Sequence, residues 1–94
     1  MDPLHDARAR IDAIDEQLVA LLAQRFRIVA EVGHIKAREG IAVVQSDRAR
    51  AVKDRVVAMA RAQGLDGDLL RAIYDLMIDH AHTLENDILK KDRA

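Results

Sequence analysis

From the N-terminal end, the apolar side chains Leu4, Ile11, Ile14, Leu18, Leu21, Ile28, Val32 and Ile35 fall at three- and four-residue steps or their sums, with Asp, Glu, Gln and Arg between them. That spacing is one face of a single amphipathic helix. Asp2 before Pro3 predicts a cap with proline at the first helical position, and no breaker follows before Gly33. Glycine inside a helix costs about 1 kcal/mol relative to alanine, yet Ile35 keeps the register, so the spacing predicts a helix to about Arg38, ended by Gly40. A helix of about 35 residues is about 50 Å long, whereas a compact domain of this chain length is about 25–30 Å across. The rod overhangs its own fold. Two further helices cannot cover a stripe of that length, and a second copy alongside can, so the expected assembly is an intertwined homodimer.

The stretch from Glu39 to Ser46, EGIAVVQS, reads as a loop with apolar residues in its middle. It is either a plain connector or a lid between the residues it joins. Ser46 is the expected N-cap of a second helix from Asp47 to about Gln63, closed by Gly64. Asp66 caps a third from Gly67 to about Lys90, with the stripe Leu70, Ile73, Met77, Ala81, Leu84 and Ile88 and with Lys90, Lys91 and Arg93 near its negative end. Phe26 and Tyr74 are the only aromatic residues, with one Pro and four Gly, which argues against a β-sandwich or barrel. The reading is an all-α, three-helix chain forming one domain over residues 1–94.

Fifteen basic and sixteen acidic side chains give a net charge of −1, so no overall positive field favours nucleic acid. Without cysteine there is no disulfide, thiolate metal site or thiol nucleophile. The start, Met-Asp-Pro-Leu-His-Asp, lacks a basic n-region and an apolar run, and no segment is apolar enough to span a bilayer. A cytoplasmic protein with no membrane partner is the expectation.

Cations occupy positions where this pattern calls for apolar groups. Arg25 lies on the Ile11–Ile14–Leu18–Leu21 stripe, and Lys36, eleven residues on, returns to within about 20° of the same face about 16 Å further along. Arg48 leads the stripe Val52, Val56, Met59 of the second helix. Three inward cations require an anion, either carboxylates of the chain such as Asp15, Glu31 or Asp79, or a ligand. Arg8 flanks the first stripe about 25 Å from Arg25, out of reach within one chain, but an antiparallel partner brings its own Arg8 to the Arg25/Lys36 end. Glu85 borders the apolar face of the third helix, one turn past Ala81, as an ion-pair partner or a protonated donor. His80 and His82 face different ways, so a metal pair is not expected. With no glycine-rich phosphate loop and no Ser-His-Asp set, the available chemistry is electrostatic.

The run Arg8-x-x-Ile11-Asp12-x-Ile14-Asp15-x-x-Leu18-x-x-Leu21-Leu22-x-x-Arg25, followed by Glu31-Val32-Gly33-x-x-Lys36 and by Asp47-Arg48, resembles the all-helical (AroQ-class) chorismate mutase family from about Leu4 to Leu89. The resemblance implies a domain-swapped dimer with two identical sites. It also implies rearrangement of chorismate to prephenate, a step of aromatic amino acid biosynthesis, with neither cofactor nor metal. By the same resemblance, Arg25 and the Arg8 of the second copy clamp the two substrate carboxylates, and Arg48 lies near the ring and the side-chain carboxylate. Lys36 donates to the ether oxygen, and Val32 and Ile78 form apolar walls. Bidentate arginine suits carboxylates better than lysine does.

Four positions depart from the family's commonest pattern. Ala49 stands where a Glu often binds the ring hydroxyl, Gln45 where an Asp is usual, and Ala81 where a small polar residue is often found. Glu85 replaces the Gln that shares the ether oxygen with the lysine. An ionised Glu85 opposes an oxyanion, so it must be protonated to donate. The changed ring-substituent pocket leaves two other substrates in view: 4-amino-4-deoxychorismate, and isochorismate as for a pyruvate-eliminating lyase of the same fold. A helical dimerisation or regulatory module that has lost activity is the non-enzyme alternative.

Overall fold

A computed structural model of the chain describes residues 2–93, the side chain of Arg93 excepted. It contains α1 (His5–Glu39), α2 (Ser46–Ala62) and α3 (Gly67–Arg93), with no strand among the described residues. The three predicted helices are present, and their ends differ by a few residues. At the start of α1, Pro3 lies in a turn ahead of the helix, and the N-cap is Leu4. Asp2 still serves the entry, since its Oδ1 accepts the Leu4 N–H at 2.9 Å. Ser46 is the first residue of α2, not its cap. The first helical bond runs from Ala49 N to Gln45 O at 2.9 Å, which makes Gln45 the N-cap, and no side chain caps this end. The Asp66 reading matches the structure, with Asp66 Oδ1 accepting the Asp68 N–H at 2.9 Å.

Glycine ends the first two helices for a conformational reason. Gly40 and Gly64 adopt φ of 67° and 76°, a left-handed backbone that side chains with a Cβ disfavour. Lys36 O accepts from both Gly40 and Ile41, and Leu65 N returns to Ala60 O at 2.8 Å. The last turn of α3 carries Lys90 and Lys91, as expected from the dipole, while the Arg93 side chain lies outside the described residues.

α3 packs against both α1 and α2, whereas α1 and α2 do not pack on each other. The chain measures 59 × 27 × 14 Å. The short dimension is little more than one helix diameter of about 10–12 Å, so the three helices form a layer one helix thick. Its radius of gyration is 17.1 Å, against about 12 Å for a compact domain of this length. The buried apolar residues Val43, Val52, Val56, Val57, Ala60 and Ala81 are all small, and no side chain among the described residues is completely buried. By contrast Ile11, Ile14, Leu18, Leu21 and Ile28 are each more than half exposed, which leaves the stripe of α1 unpartnered within the chain. Met59, read as part of the α2 stripe, is also exposed. Val57 and Ala60 are the buried neighbours on the face turned to α3.

Two contacts involving aromatic rings join α1 to α3. The Phe26 and His80 rings meet edge to face at 5.3 Å, and the Arg25 guanidinium lies 5.5 Å from the Tyr74 ring centre. Gly33 is the one buried residue of α1, and its lack of a side chain lets the helices approach closely. A Cβ there would stand 3.0 Å from Ile88 Cδ1, 3.2 Å from Glu85 Cγ and 3.3 Å from Glu85 Cα. The last of these is backbone and cannot rotate away. Gly33→Val is therefore expected to destabilise the fold by about 1–3 kcal/mol despite removing a helix glycine, read as a lowered Tm with helicity retained at low temperature. An unchanged Tm would contradict the close-approach role.

Candidate active site

Where α1, α2 and α3 converge, a pocket of about 230 Å³ is lined by Arg25, Val29, Val32 and Lys36 from α1, by Val43 and Gln45 from the connecting loop, and by side chains of α2 and α3. Helix α2 contributes Arg48, Ala49 and Val52, and α3 contributes Ile78, Ala81, His82 and Glu85. The structure thus brings together seven of the eight residues singled out in the sequence: Arg25, Val32, Lys36, Gln45, Arg48, Ile78 and Glu85. Arg8 stands apart, exposed near the start of α1 and 3.8 Å from Asp2. Its separation from Arg25 along one rod is as the spacing requires.

Helix periodicity explains the convergence. Arg25, Val29, Val32 and Lys36 follow four-, three- and four-residue steps on α1, and Ile78, Ala81, His82 and Glu85, at steps of three, one and three, share one face of α3. The loop closes a third side. Val43 is buried, and its carbonyl accepts a hydrogen bond from Lys36 Nζ at 2.6 Å, while Gln45 Nε2 donates to Ala42 O at 2.9 Å. The segment therefore forms a pocket wall tied to Lys36.

Of the three inward cations, Lys36 is paired. Its Nζ lies 2.7 Å from Glu85 Oε1, with side-chain exposures of 15% and 6%. The partner is thus Glu85, not Asp15, Glu31 or Asp79. The contact is short but not directed as a hydrogen bond, so Glu85 Oε1 is buried without a hydrogen-bond partner among the described residues. A buried pair of this kind is held by charge and by the Val43 carbonyl, and it leaves one carboxylate oxygen available to a further donor. Arg25, half-buried, stacks on Tyr74, and Arg48 is exposed at the pocket wall. Neither forms an ion pair among the described residues, so both guanidinium groups can take carboxylates.

An adjoining recess of about 270 Å³ shares Arg25, Val29, Val32, Arg48, Val52 and Glu85 and adds Ile28 and Arg55. Arg55 was legible: it stands seven residues after Arg48, within about 20° of the same face. His82 was legible too, four residues after Ile78 and three before Glu85. The Val43 carbonyl had no sequence signal, because its position follows from the loop's path. A larger polar cleft of about 490 Å³, lined by Arg50, Lys53, Asp54 and Arg71 among others, is less suited to an anion. Lys53 is engaged with Asp75 at 3.0 Å and Arg71 with Asp54 at 2.9 Å.

These features define an all-helical protein whose small, apolar-walled pocket presents unpaired guanidinium groups, an arrangement that can accept a compact organic anion. The chain belongs to the chorismate mutase type II family, whose sequence model matches residues 7–86. It is 31% identical over 90 residues to the bifunctional chorismate mutase/prephenate dehydratase of Escherichia coli K12, covering 96% of this chain and 23% of that protein. It is 25% identical over 91 residues to the chorismate mutase of Methanocaldococcus jannaschii, covering 97% and 92% of the two chains. A third relative, the 4-amino-4-deoxychorismate mutase of Streptomyces venezuelae, is 29% identical over 89 residues, covering 95% and 86%. The chain thus spans about a quarter of the bifunctional relative and most of the other two. No described helix is long and apolar enough to cross a membrane.

Proposed function

We propose that this chain is a chorismate mutase that acts in the cytoplasm as a homodimer and needs neither cofactor nor metal. The observation that carries the reading is the convergence of Arg25, Lys36 and Arg48 on one apolar-walled pocket in a chain of this family. In the reaction the ether C–O bond to the ring breaks as a C–C bond forms between the enolpyruvyl methylene and the ring, with no atom gained or lost. Arg25 and Arg48 hold carboxylates, and Val32 and Ile78 restrict the substrate to its compact reactive conformer. Lys36 stabilises the negative charge that grows on the ether oxygen. The second copy covers the exposed α1 stripe and supplies Arg8, which one chain cannot deliver.

Incubation of the protein with chorismate, isochorismate and 4-amino-4-deoxychorismate, with products identified by mass and absorbance, tests this directly. Prephenate from chorismate is expected. The aminated substrate is the second reading, supported by likeness to the Streptomyces protein. Pyruvate released from isochorismate would indicate the lyase, and no product from any of the three would leave a non-catalytic helical module.

Glu85 holds the Lys36 ammonium at 2.7 Å, and its carboxylate faces the growing oxyanion. Glu85→Gln replaces that charge by an amide that can donate to the ether oxygen, and is therefore expected to raise kcat. A folded Glu85→Gln variant no faster than wild type would refute an opposing charge at this position.

A further inference from the structure

Donors and acceptors are unequal in number around the pocket. Arg25, Lys36 and Arg48 only donate, and Val29, Val32, Val43, Ala49, Val52, Ile78 and Ala81 offer no polar side-chain atom. Glu85, the one carboxylate in the lining, is buried against the Lys36 ammonium at 2.7 Å, the pair assigned to the ether oxygen. An anion satisfies the donors, but a ligand that also carries a hydroxyl or an amine brings a proton of its own, which needs an acceptor. Beyond Glu85, two side chains in the lining can provide one. Gln45 is exposed, and its amide is tied to the loop through Ala42 O. His82 is half-buried on the pocket face of α3, and it makes no hydrogen bond or ion pair among the described residues.

We propose that His82 is a specificity-determining residue that accepts the hydrogen bond of the substrate's ring hydroxyl, or of the amine in its place. The inference rests on the mutase reading and assigns a group within that site. A neutral imidazole accepts at one ring nitrogen and donates from the other, so it serves a hydroxyl in either sense. Its place on α3 beside Ala81 puts it on the same wall as Glu85 and Ile78, while Gln45 and Ala49 line the pocket from the loop and α2. The small Ala49 and Ala81 side chains leave room for the ring substituent to approach the imidazole.

The test compares wild type, His82→Val and His82→Gln on chorismate and on 4-deoxychorismate, which carries hydrogen in place of the ring hydroxyl, with helicity checked for each variant. His82→Val is expected to lower kcat/KM for chorismate about tenfold, mainly through KM, and to leave 4-deoxychorismate within about twofold. His82→Gln, which keeps an acceptor, should recover most of the loss. Equal losses on both substrates would mark a packing role and overturn the inference while the mutase reading stands. No loss on either would overturn it in favour of Gln45. A wild-type protein that converts neither chorismate nor its amino analogue would remove the mutase reading and this inference together.

Discussion

Two variants, Arg8→Ala and Arg25→Ala, are each expected to be nearly inactive and to recover activity when refolded together. Arg25 lines the pocket and Arg8 does not, and the two stand about 25 Å apart along α1. If each site combines Arg25 of one chain with Arg8 of the other, a mixed dimer has one site with both arginines and one site with neither. Random pairing makes about half of the dimers mixed, so about a quarter of all sites should work. Truncating one member of a desolvated charge pair costs about 2–5 kcal/mol, so the parent variants should lie at least about thirtyfold below wild type. Sedimentation at micromolar concentration supplies the control. Failure to recover activity in preparations that sediment as dimers would refute the shared site, and a monomeric wild type would refute the pairing itself.

Replacing Lys36 by methionine is the second large effect. Loss of one oxyanion donor lowers kcat by about 10²–10³-fold, and Lys36 is the only lysine lining the pocket among the described residues. The structure adds a stability cost that the sequence pattern did not show. Lys36→Met strands Glu85, which is 4% exposed, without its counter-charge, and breaking a buried pair from one side costs about 3–5 kcal/mol. The double variant Lys36→Met/Glu85→Gln removes that stranded charge. It should regain thermal stability and remain inactive. A double variant with activity within tenfold of wild type would exclude Lys36 from the chemistry. For a non-catalytic module, Arg25→Met is the cleaner probe, because Arg25 has no carboxylate partner to strand. There the expected result is unchanged or increased stability.

Much of the fold was legible because helices repeat. The α1 stripe gave a rod of the right length, and the glycines at 40 and 64 marked two helix ends through their left-handed backbone. The same periodicity put Arg25 with Lys36 and Ile78 with Glu85, and the pocket follows from those two rows meeting. What stayed hidden depends on distances between elements. Gly33 looked like a tolerated weakness in α1, whereas it sets the approach of α3 at the level of Glu85. The choice of Glu85 over Asp15, Glu31 or Asp79 as the partner of Lys36 is decided by that approach. The hydrogen bond from Lys36 to the Val43 carbonyl depends on how a short loop turns back, which no side-chain pattern encodes. Capping was misassigned at Ser46 for a related reason: the chain enters α2 one residue earlier than the favoured cap type suggests.

The layer only one helix thick has a consequence for how the protein responds to its own abundance. With no completely buried side chain among its described residues, the chain has little to hold it folded alone, so under the proposed pairing folding and association merge into one equilibrium. Dilution then acts as a denaturant. The melting midpoint rises with the logarithm of protein concentration, and the number of working sites falls faster than the number of chains when expression is low.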